Sequence, residues 1–354
     1  MEIEKLPTYQ EVIDKLKNKN RKKHLLFGNG FSVAYDSKIF SYKSLSNFIE
    51  KTGDPLINNL FEKLNTKNFE LIMQQLDNFC EIAEIFSDGK TLIPQIKAAS
   101  ETLKSSLIDA IKELHPEHVF KIHEDKSIAC MNFLQEYLSN EGLVFSTNYD
   151  LLLYWVLMRN KAQNAIDGFG RRDLKTELDD EHYTESDDLK NFELRWGRYK
   201  DEQTIHYLHG ALPIFDTGVN IVKVEYDSER NLLQKINERI SKKEYPIFVT
   251  AGNGKEKLTQ IMHNKYLSFC YDQLCDIQGS LITFGFNFGE YDTHIIEAIN
   301  IAAKMGKKIK NKLWSVYIGV YDNDDLRHIT NIEKKFKCKV TLYNARTVNV
   351  WGNQ

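Results

Sequence analysis

The feature that most constrains this fold is a series of short apolar segments that end in glycine or polar side chains and alternate with helical stretches. Buried parallel strands have this continuous apolar composition, and helices join one such strand to the next. Helical stretches lie at Lys255–Leu274 and Asp292–Lys304, between successive apolar segments. The apolar segments with their terminal motifs are residues 24–32, 142–150, 204–210, 245–252, 279–289, 313–320 and 338–344. The alternation predicts an α/β fold whose parallel sheet carries helices on both faces.

Residues 44–140 have a different character, because apolar residues recur there at helical spacing and strand signals are few. This block exceeds an ordinary crossover connection, so we expect an inserted helical module. The domain organisation is then a Rossmann-like domain made of residues 1–43 and 141–354, interrupted by the module. Residues 165–203 are polar and acidic, which is typical of a solvated loop or a flexible lid.

Composition excludes several classes of partner. The formal net charge is −3, so no overall basic field would recruit nucleic acid or an anionic membrane. The lysine-rich stretches 15–23 and 304–312 are short, and no direct sequence-specific nucleic-acid partner is expected. The apolar runs are far shorter than a membrane span, and the N-terminal segment lacks the apolar core of a secretory signal. Five scattered cysteines without a CxxC pair argue against disulfides and a structural zinc site, so we expect a cytoplasmic protein.

The first strand-end motif is GNGFS, in which Gly28, Asn29, Gly30 and Ser32 follow an apolar run. Glycine lets a backbone approach a phosphate closely, and the amides at the start of the following helix attract an anion. Val33 stands where the dinucleotide fingerprint GxGxxG has its third glycine. The motif therefore predicts either a phosphate-binding turn or a tight turn without a ligand.

The second motif is STNYD, in which Thr147, Asn148 and Asp150 emerge together from an apolar strand. Any one of these side chains could cap the helix that follows. Because one cap needs only one such residue, the cluster favours a binding or catalytic site.

The third motif is LHG, in which His209 closes a strand and Gly210 adds no side chain beside it. A lone histidine is often structural, but an imidazole left open at a strand end is a candidate for proton transfer. His206 lies three residues earlier and is expected to point to the opposite face of the sheet.

The fourth motif is GFNFGEYD, which follows the segment LITF. Its glycines and asparagine predict a loop around a ribose or a phosphate, with Gly285 and Asn287 as contacts. Asp292 either belongs to this loop or caps the next helix.

The order of these four motifs resembles the succession of NAD-binding motifs in the sirtuin family. It looks closest to the sirtuin-like NAD hydrolases of bacterial anti-phage defence systems, over the chain outside the helical block and the acidic stretch. The resemblance implies a Rossmann-like sheet of sirtuin type, with GNGFS beside the phosphates and GFNF beside the adenosine half of NAD. It assigns catalysis to Asn148, beside the nicotinamide ribose, and to His209 as general base. The residues expected to bind NAD are Gly28, Asn29, Gly30, Ser32, Thr147, Asp150, Gly285, Asn287 and Asp292.

Two departures from the sirtuin pattern bear on the reaction. Protein-deacylating sirtuins carry a four-cysteine zinc module, and this sequence has no such paired cysteines. Their Asp-Phe-Arg motif is also missing, with Phe40 in the sequence Ile39-Phe40-Ser41 as its only counterpart. Both departures argue against deacylation and favour hydrolysis.

The resemblance therefore implies an NAD glycohydrolase that uses NAD as its substrate, needs no metal, and releases nicotinamide and ADP-ribose. It further implies an abortive-infection effector that forms a homo-oligomer and has a HerA-type ATPase as a possible partner. The helical block contains aromatic residues that would mark a subunit interface if they are exposed: Phe61, Phe69, Phe79, Phe86, Phe120 and Phe133. Two other functions remain open, an NAD-dependent protein deacylase and a non-catalytic module that senses NAD or ADP-ribose.

Overall fold

The computed structural model describes residues 2–36, 55–64, 92–114, 119–162, 164–171, 194–226, 231–242, 244–249 and 253–352, with single positions between 72 and 85. The strands are β1 (Lys23–Phe27), β2 (Val144–Ser146), β3 (Phe169–Gly170), β4 (Leu194–Trp196), β5 (Ile205–Tyr207), β6 (Gly210–Asp216), β7 (Ile221–Lys223), β8 (Pro246–Phe248), β9 (Gly279–Phe284), β10 (Leu313–Val320) and β11 (Lys339–Asn344). The helices are α1 (Tyr9–Asn18), α2 (Asn29–Tyr35), α3 (Pro55–Lys63), α4 (Leu92–Leu114), α5 (Glu124–Leu138), α6 (Leu152–Arg159), α7 (Leu232–Ser241), α8 (Gly254–His263), α9 (Lys265–Cys275), α10 (Thr293–Ala302) and α11 (Asn323–Ile332).

Six strands form a parallel sheet in the order β11-β10-β9-β1-β2-β5. If only these six strands are numbered in chain order, their order across the sheet is 6-5-4-1-2-3, which is the Rossmann arrangement. The direction of strand order reverses between β1 and β9, and open α/β sheets bind their ligands at such a reversal. The predicted α/β fold with a parallel sheet is confirmed.

The register of the sheet brings four strand ends to one level. Phe27 at the end of β1 pairs with Ser146 of β2 on one side and with Phe284 of β9 on the other. Ser146 in turn pairs with Tyr207 of β5. The four strand-end motifs therefore meet along one edge of the sheet.

Helix α5 covers the central strands. The ring of Phe133 lies 6.0 Å from that of Phe284, and the hydroxyl of Tyr137 is 3.0 Å from the hydroxyl of Tyr9 on α1. Both Phe133 and Tyr137 are buried, as an amphipathic helix on a sheet requires. The block 44–140 thus includes a helix that belongs to the layer over the sheet.

A second sheet, antiparallel and in the order β3-β4-β7-β6-β8, stands beside the first. The prediction that residues 245–252 add a strand to the parallel sheet is wrong, because β8 pairs with β6. The chain leaves the parallel sheet at Gly210, where β6 starts. Its φ of +82° lies in the left-handed region, which glycine adopts far more readily than other residues. A Cβ atom on Gly210 would lie 1.8 Å from the carbonyl oxygen of Ile247 in β8, the strand that pairs with β6 at this position, so the backbones are in direct contact there.

The acidic stretch 165–203 is not a loop throughout. Residues 169–170 and 194–196 are β3 and β4, which pair antiparallel. Residues 172–193, which hold most of the acidic side chains, lie outside the described residues. The expectation of a continuous solvated loop is therefore wrong at both ends of the stretch.

Two of the helical stretches can be compared directly with their predictions. The stretch predicted at 292–304 contains α10. The stretch predicted at 255–274 is divided into α8 and α9, because the side chain of Asn264 accepts the amide hydrogens of Tyr266 and Leu267 and starts a new helix. No helix within the described ranges is long and apolar enough to cross a membrane.

The aromatic side chains of residues 44–140 are only partly described. Phe133 is buried, whereas Phe79 and Phe120 are exposed by 49% and 74%. Phe69 and Phe86 lie outside the described residues, as does Phe40, the proposed counterpart of the sirtuin phenylalanine.

Candidate functional site

A cavity of about 1020 Å³ opens at the edge of the parallel sheet where the four motifs meet. Its volume is at the upper end of the range of about 300–1,000 Å³ that is usual for ligand pockets. The expected site residues that line it are Asn29, Gly30, Thr147, Asn148, Asp150, His209, Gly285, Asn287 and Asp292. Gly28 and Ser32 lie directly behind this lining, in contact with Phe286 and Asn148.

Three side chains from two strand ends form one hydrogen-bonded chain. Asn148 donates from Nδ2 to Oγ of Ser32 over 2.8 Å, and the Ser32 hydroxyl donates to Oδ2 of Asp150. Because Nδ2 is engaged in this way, the orientation of the Asn148 amide is set and its carbonyl oxygen faces away from Ser32. These hydrogen bonds explain why both GNGFS and STNYD place polar side chains at this point.

Asp150 has a second function at the start of α6. Its Oδ1 accepts the amide hydrogen of Leu152 over 2.9 Å, which satisfies an amide at the helix start. Burial raises the pKa of Asp150, and the hydrogen bonds from Ser32 and Leu152 oppose that rise. Asp150 thus bonds to the first residue of α6 although the N-cap position is Leu151, and neither Thr147 nor Asn148 caps the helix.

The glycines of GNGFS and GFNFG allow two loops to touch. The amide of Gly30 donates to the carbonyl oxygen of Gly285 over 2.9 Å. A Cβ atom on Gly30 would lie 2.5 Å from Cα of Gly285, and one on Gly28 would lie 2.7 Å from the ring of Phe286. In this structure the glycines join β1 and β9 at the reversal of strand order, and the Gly30 amide is occupied by that contact.

His209 leaves β5 with its ring between the cavity and a second histidine. Its Nε2 lies 2.9 Å from Nε2 of His294, the second residue of α10, and its ring stacks at 6.5 Å from that of Tyr149. Burial lowers the pKa of His209 well below its usual range, and the nearby His294 and Lys257 lower it further. The imidazole is therefore neutral at neutral pH.

Asp292 is held by an ion pair rather than by a helix cap. Lys257 on α8 donates to Oδ1 of Asp292 over 2.8 Å, and no capping hydrogen bond from Asp292 to the α10 backbone is present. His209, Asp292 and His294 form the one group in the described ranges whose ligand atoms, within 4.8 Å of one another, could surround a metal ion. The ammonium of Lys257 already supplies a positive charge to this carboxylate, so the donor set fits a divalent cation poorly.

His206 is a residue of the core. Its ring stacks on Phe145 at 4.9 Å, and its Nδ1 lies 3.3 Å from Nε2 of Gln203. Burial lowers the pKa of His206 to about 3, and the ring is absent from the cavity lining. His206 and His209 thus face different environments, as strand geometry requires of residues three apart.

Several residues around the cavity have no sequence motif that would have indicated them. The side chains concerned are Lys126, Lys257, His294, Tyr321, Arg346 and Trp351. Trp351 comes back from the end of the described chain, and its Nε1 donates to the carbonyl oxygen of Phe31 over 2.8 Å. Arg346 and Trp351 follow β11, but one arginine and one tryptophan do not specify a site.

The sequence matches a protein family described as a domain of unknown function, DUF4917, over residues 25–351. That range contains all four motifs and both sheets except the first two residues of β1. No curated protein matches the chain.

Proposed function

We propose that the chain, which belongs to the DUF4917 family of domains of unknown function, is an NAD glycohydrolase that cleaves the nicotinamide–ribose bond. The observation that carries the proposal is the convergence of all four motifs on one cavity at the reversal of strand order in a Rossmann sheet. A Rossmann domain of sirtuin type, an inserted helical module and a cytoplasmic location are parts of the same proposal.

Cleavage of the nicotinamide–ribose bond requires that the substrate is positioned correctly more than it requires a strong nucleophile. The pyridinium of NAD is a good leaving group, so the bond breaks through an oxocarbenium-like state that has to be oriented and stabilised. Asn148 suits this task because the chain through Ser32 sets its amide, and its carbonyl oxygen can hold a ribose hydroxyl or an attacking water.

His209 suits the same reaction because it is neutral. An imidazolium would place a positive charge beside an oxocarbenium-like ribose, whereas the lowered pKa of His209 keeps that charge away. Its Nε2 is engaged with His294, so Nδ1 is the nitrogen that meets a ribose hydroxyl or a water. No metal takes part in the proposed reaction.

The cavity also suits the rest of a dinucleotide. Lys126 and Arg346 lie on its wall and can offset the charge of a diphosphate. The guanidinium of Arg346 lies 5.2 Å from the ring centre of Tyr321, which gives the wall a flat cationic and aromatic surface. This combination favours a ligand that contains both a diphosphate and a planar base.

The decisive assay is release of nicotinamide from NAD by the purified protein. Asn148→Ala and His209→Ala are each expected to lower kcat by about 100-fold or more. Asn18→Ala and His263→Ala replace exposed residues outside the cavity and should leave the rate unchanged. Wild-type rates in both site variants would refute the assignment, and binding of NAD or ADP-ribose without turnover would favour a sensor.

We further propose that the enzyme acts in anti-phage defence as a homo-oligomer whose activity depends on assembly, with a HerA-type ATPase as a possible partner. A constantly active NAD hydrolase would deplete its own cell, so the resting state requires restraint. The exposed apolar side chains Phe79, Ile85 and Phe120 fit a subunit interface. Light scattering combined with the nicotinamide assay tests this, and a monomer that is fully active alone would refute it.

A further inference from the structure

A pair of histidines lies behind the cavity, and the proposed reaction uses only one of them. His294 is fully buried, and its Nε2 is 2.9 Å from Nε2 of His209, with ring centres 5.1 Å apart. The backbone of His294 is held in turn, since Tyr271 donates its hydroxyl to the His294 carbonyl oxygen over 2.9 Å. His294 is therefore a fixed neighbour of His209.

Both rings are neutral at neutral pH. Burial is the main cause that lowers the pKa of each histidine, to about 4 for His294. The charged groups that face the pair are Lys257 and Asp292, and these two are already bonded to each other. A neutral imidazole carries one hydrogen, so each ring has one donor nitrogen and one acceptor nitrogen.

The contact at 2.9 Å requires that one of the two Nε2 atoms carries a hydrogen and the other does not. Which Nε2 carries the hydrogen depends on the other ring nitrogen of His294, Nδ1. Its Nδ1 is buried and has no hydrogen-bond partner. A buried N–H without an acceptor is less favourable than a buried lone pair without a donor, which favours a bare Nδ1 on His294. The hydrogen of His294 is then on Nε2.

We propose that His294 is a positioning residue that donates its Nε2 hydrogen to His209 and so holds His209 as the tautomer with a hydrogen on Nδ1. His209 then presents a donor to the cavity and holds an oxygen atom of the substrate, instead of accepting a proton at Nδ1. The general-base function that the sirtuin resemblance implies would need the opposite tautomer. The identity of the substrate rests on the proposed function, whereas the tautomer is a property of the free protein.

Long-range ¹H–¹⁵N correlation spectra of the free, ¹⁵N-histidine-labelled protein test the tautomer without any turnover. The expected result is a protonated Nδ1 and a bare Nε2 in His209, with the reverse in His294. Spectra of His294→Gln and His209→Asn variants provide the assignment. A hydrogen on Nε2 of His209 overturns the proposal, as does one zinc ion per chain by elemental analysis.

Kinetics of variants at the two positions test the function of the pair. His294→Gln retains an amide donor and should keep kcat within about threefold, whereas His294→Leu should lower kcat by about tenfold or more at nearly constant KM. His209→Asn, which keeps a donor near the Nδ1 position, should retain clearly more activity than His209→Ala. Equal rates for His294→Gln and His294→Leu, at equal thermal stability, overturn the positioning function. If the wild-type protein cleaves no NAD, the proposed function fails while the spectra still decide the tautomer.

Discussion

Replacing Gly30 with alanine has two opposing effects on the free energy of unfolding. Gly30 lies in α2, and helix propensity alone predicts that alanine stabilises the protein by about 1 kcal/mol. The tertiary structure predicts the opposite, because the new Cβ would lie 2.5 Å from Cα and 3.1 Å from the carbonyl oxygen of Gly285. Neither neighbour is a flexible side chain, so the contact can be relieved only by separating the two loops.

The magnitude follows from the distances. Carbon atoms in contact prefer a separation of about 3.5 Å or more, so the loops must part by about 1 Å. Overpacking of this kind costs about 1–3 kcal/mol, and the hydrogen bond from the Gly30 amide to Gly285 is weakened as well. The net expectation for Gly30→Ala is a loss of about 1–3 kcal/mol in the free energy of unfolding, together with weaker binding of NAD.

Thermal or urea unfolding followed by circular dichroism measures this loss, and the melting temperature should fall by about 1–4 °C. Gly289→Ala is the matched control in the same pair of loops. Its φ of −56° is open to alanine, and the nearest atoms to a new Cβ lie at 3.5 and 3.6 Å, so its stability should stay within about 0.5 kcal/mol of wild type. Equal or higher stability of Gly30→Ala would refute the close approach of the two loops.

Three further changes have outcomes that follow from the structure. Burial lowers the pKa of His24 to about 4 and that of His206 to about 3, while the unfolded chain titrates near 6.5. Because only the unfolded state binds these protons between pH 6 and about 4, His24 and His206 lower the free energy of unfolding by about 2–3 kcal/mol per pH unit on acidification below pH 6.5. His209 and His294, whose pKa values burial also lowers, add to this loss, so urea unfolding should show a total fall of at least about 2–3 kcal/mol per pH unit. Lys257→Met leaves Asp292 without its partner and should lower stability by about 1–3 kcal/mol. Ser32→Ala removes the hydroxyl that links the Asn148 amide to Asp150 and should lower kcat for NAD cleavage by about tenfold or more.

Controls with matched chemistry accompany these changes. Lys304→Met breaks the more exposed pair with Asp276 and should change stability by less than about 0.5 kcal/mol. Ser241→Ala removes a hydroxyl on the exposed side of α7 and should leave NAD cleavage unchanged. Constant stability between pH 6 and pH 4, or equal effects of the two lysine variants, would contradict the burial on which these expectations rest.

The strand-end motifs were visible in the sequence because they are local. An apolar run followed by glycine or by clustered polar residues reports both burial and the end of a strand within about ten residues. This is why the α/β class and the positions of Asn148 and His209 at strand ends could be stated from the chain alone. The same locality explains the wrong prediction for residues 245–252, because an apolar run reports burial and not which neighbouring strand it pairs with.

Contacts between distant segments were decided only by the tertiary structure. His294 lies 85 residues from His209, and Lys257 lies 35 residues from Asp292. Neither His294 nor Lys257 belongs to one of the four motifs. Gly30 and Gly285 follow different strands, β1 and β9, and only the Rossmann strand order makes them neighbours. Side-chain hydrogen bonds and ion pairs depend on distances of about 3 Å, and the order and register of strands set those distances. The sequence by itself therefore determined which residues stand at strand ends, while packing of the sheet and of α10 decided which nitrogen of His209 contacts His294.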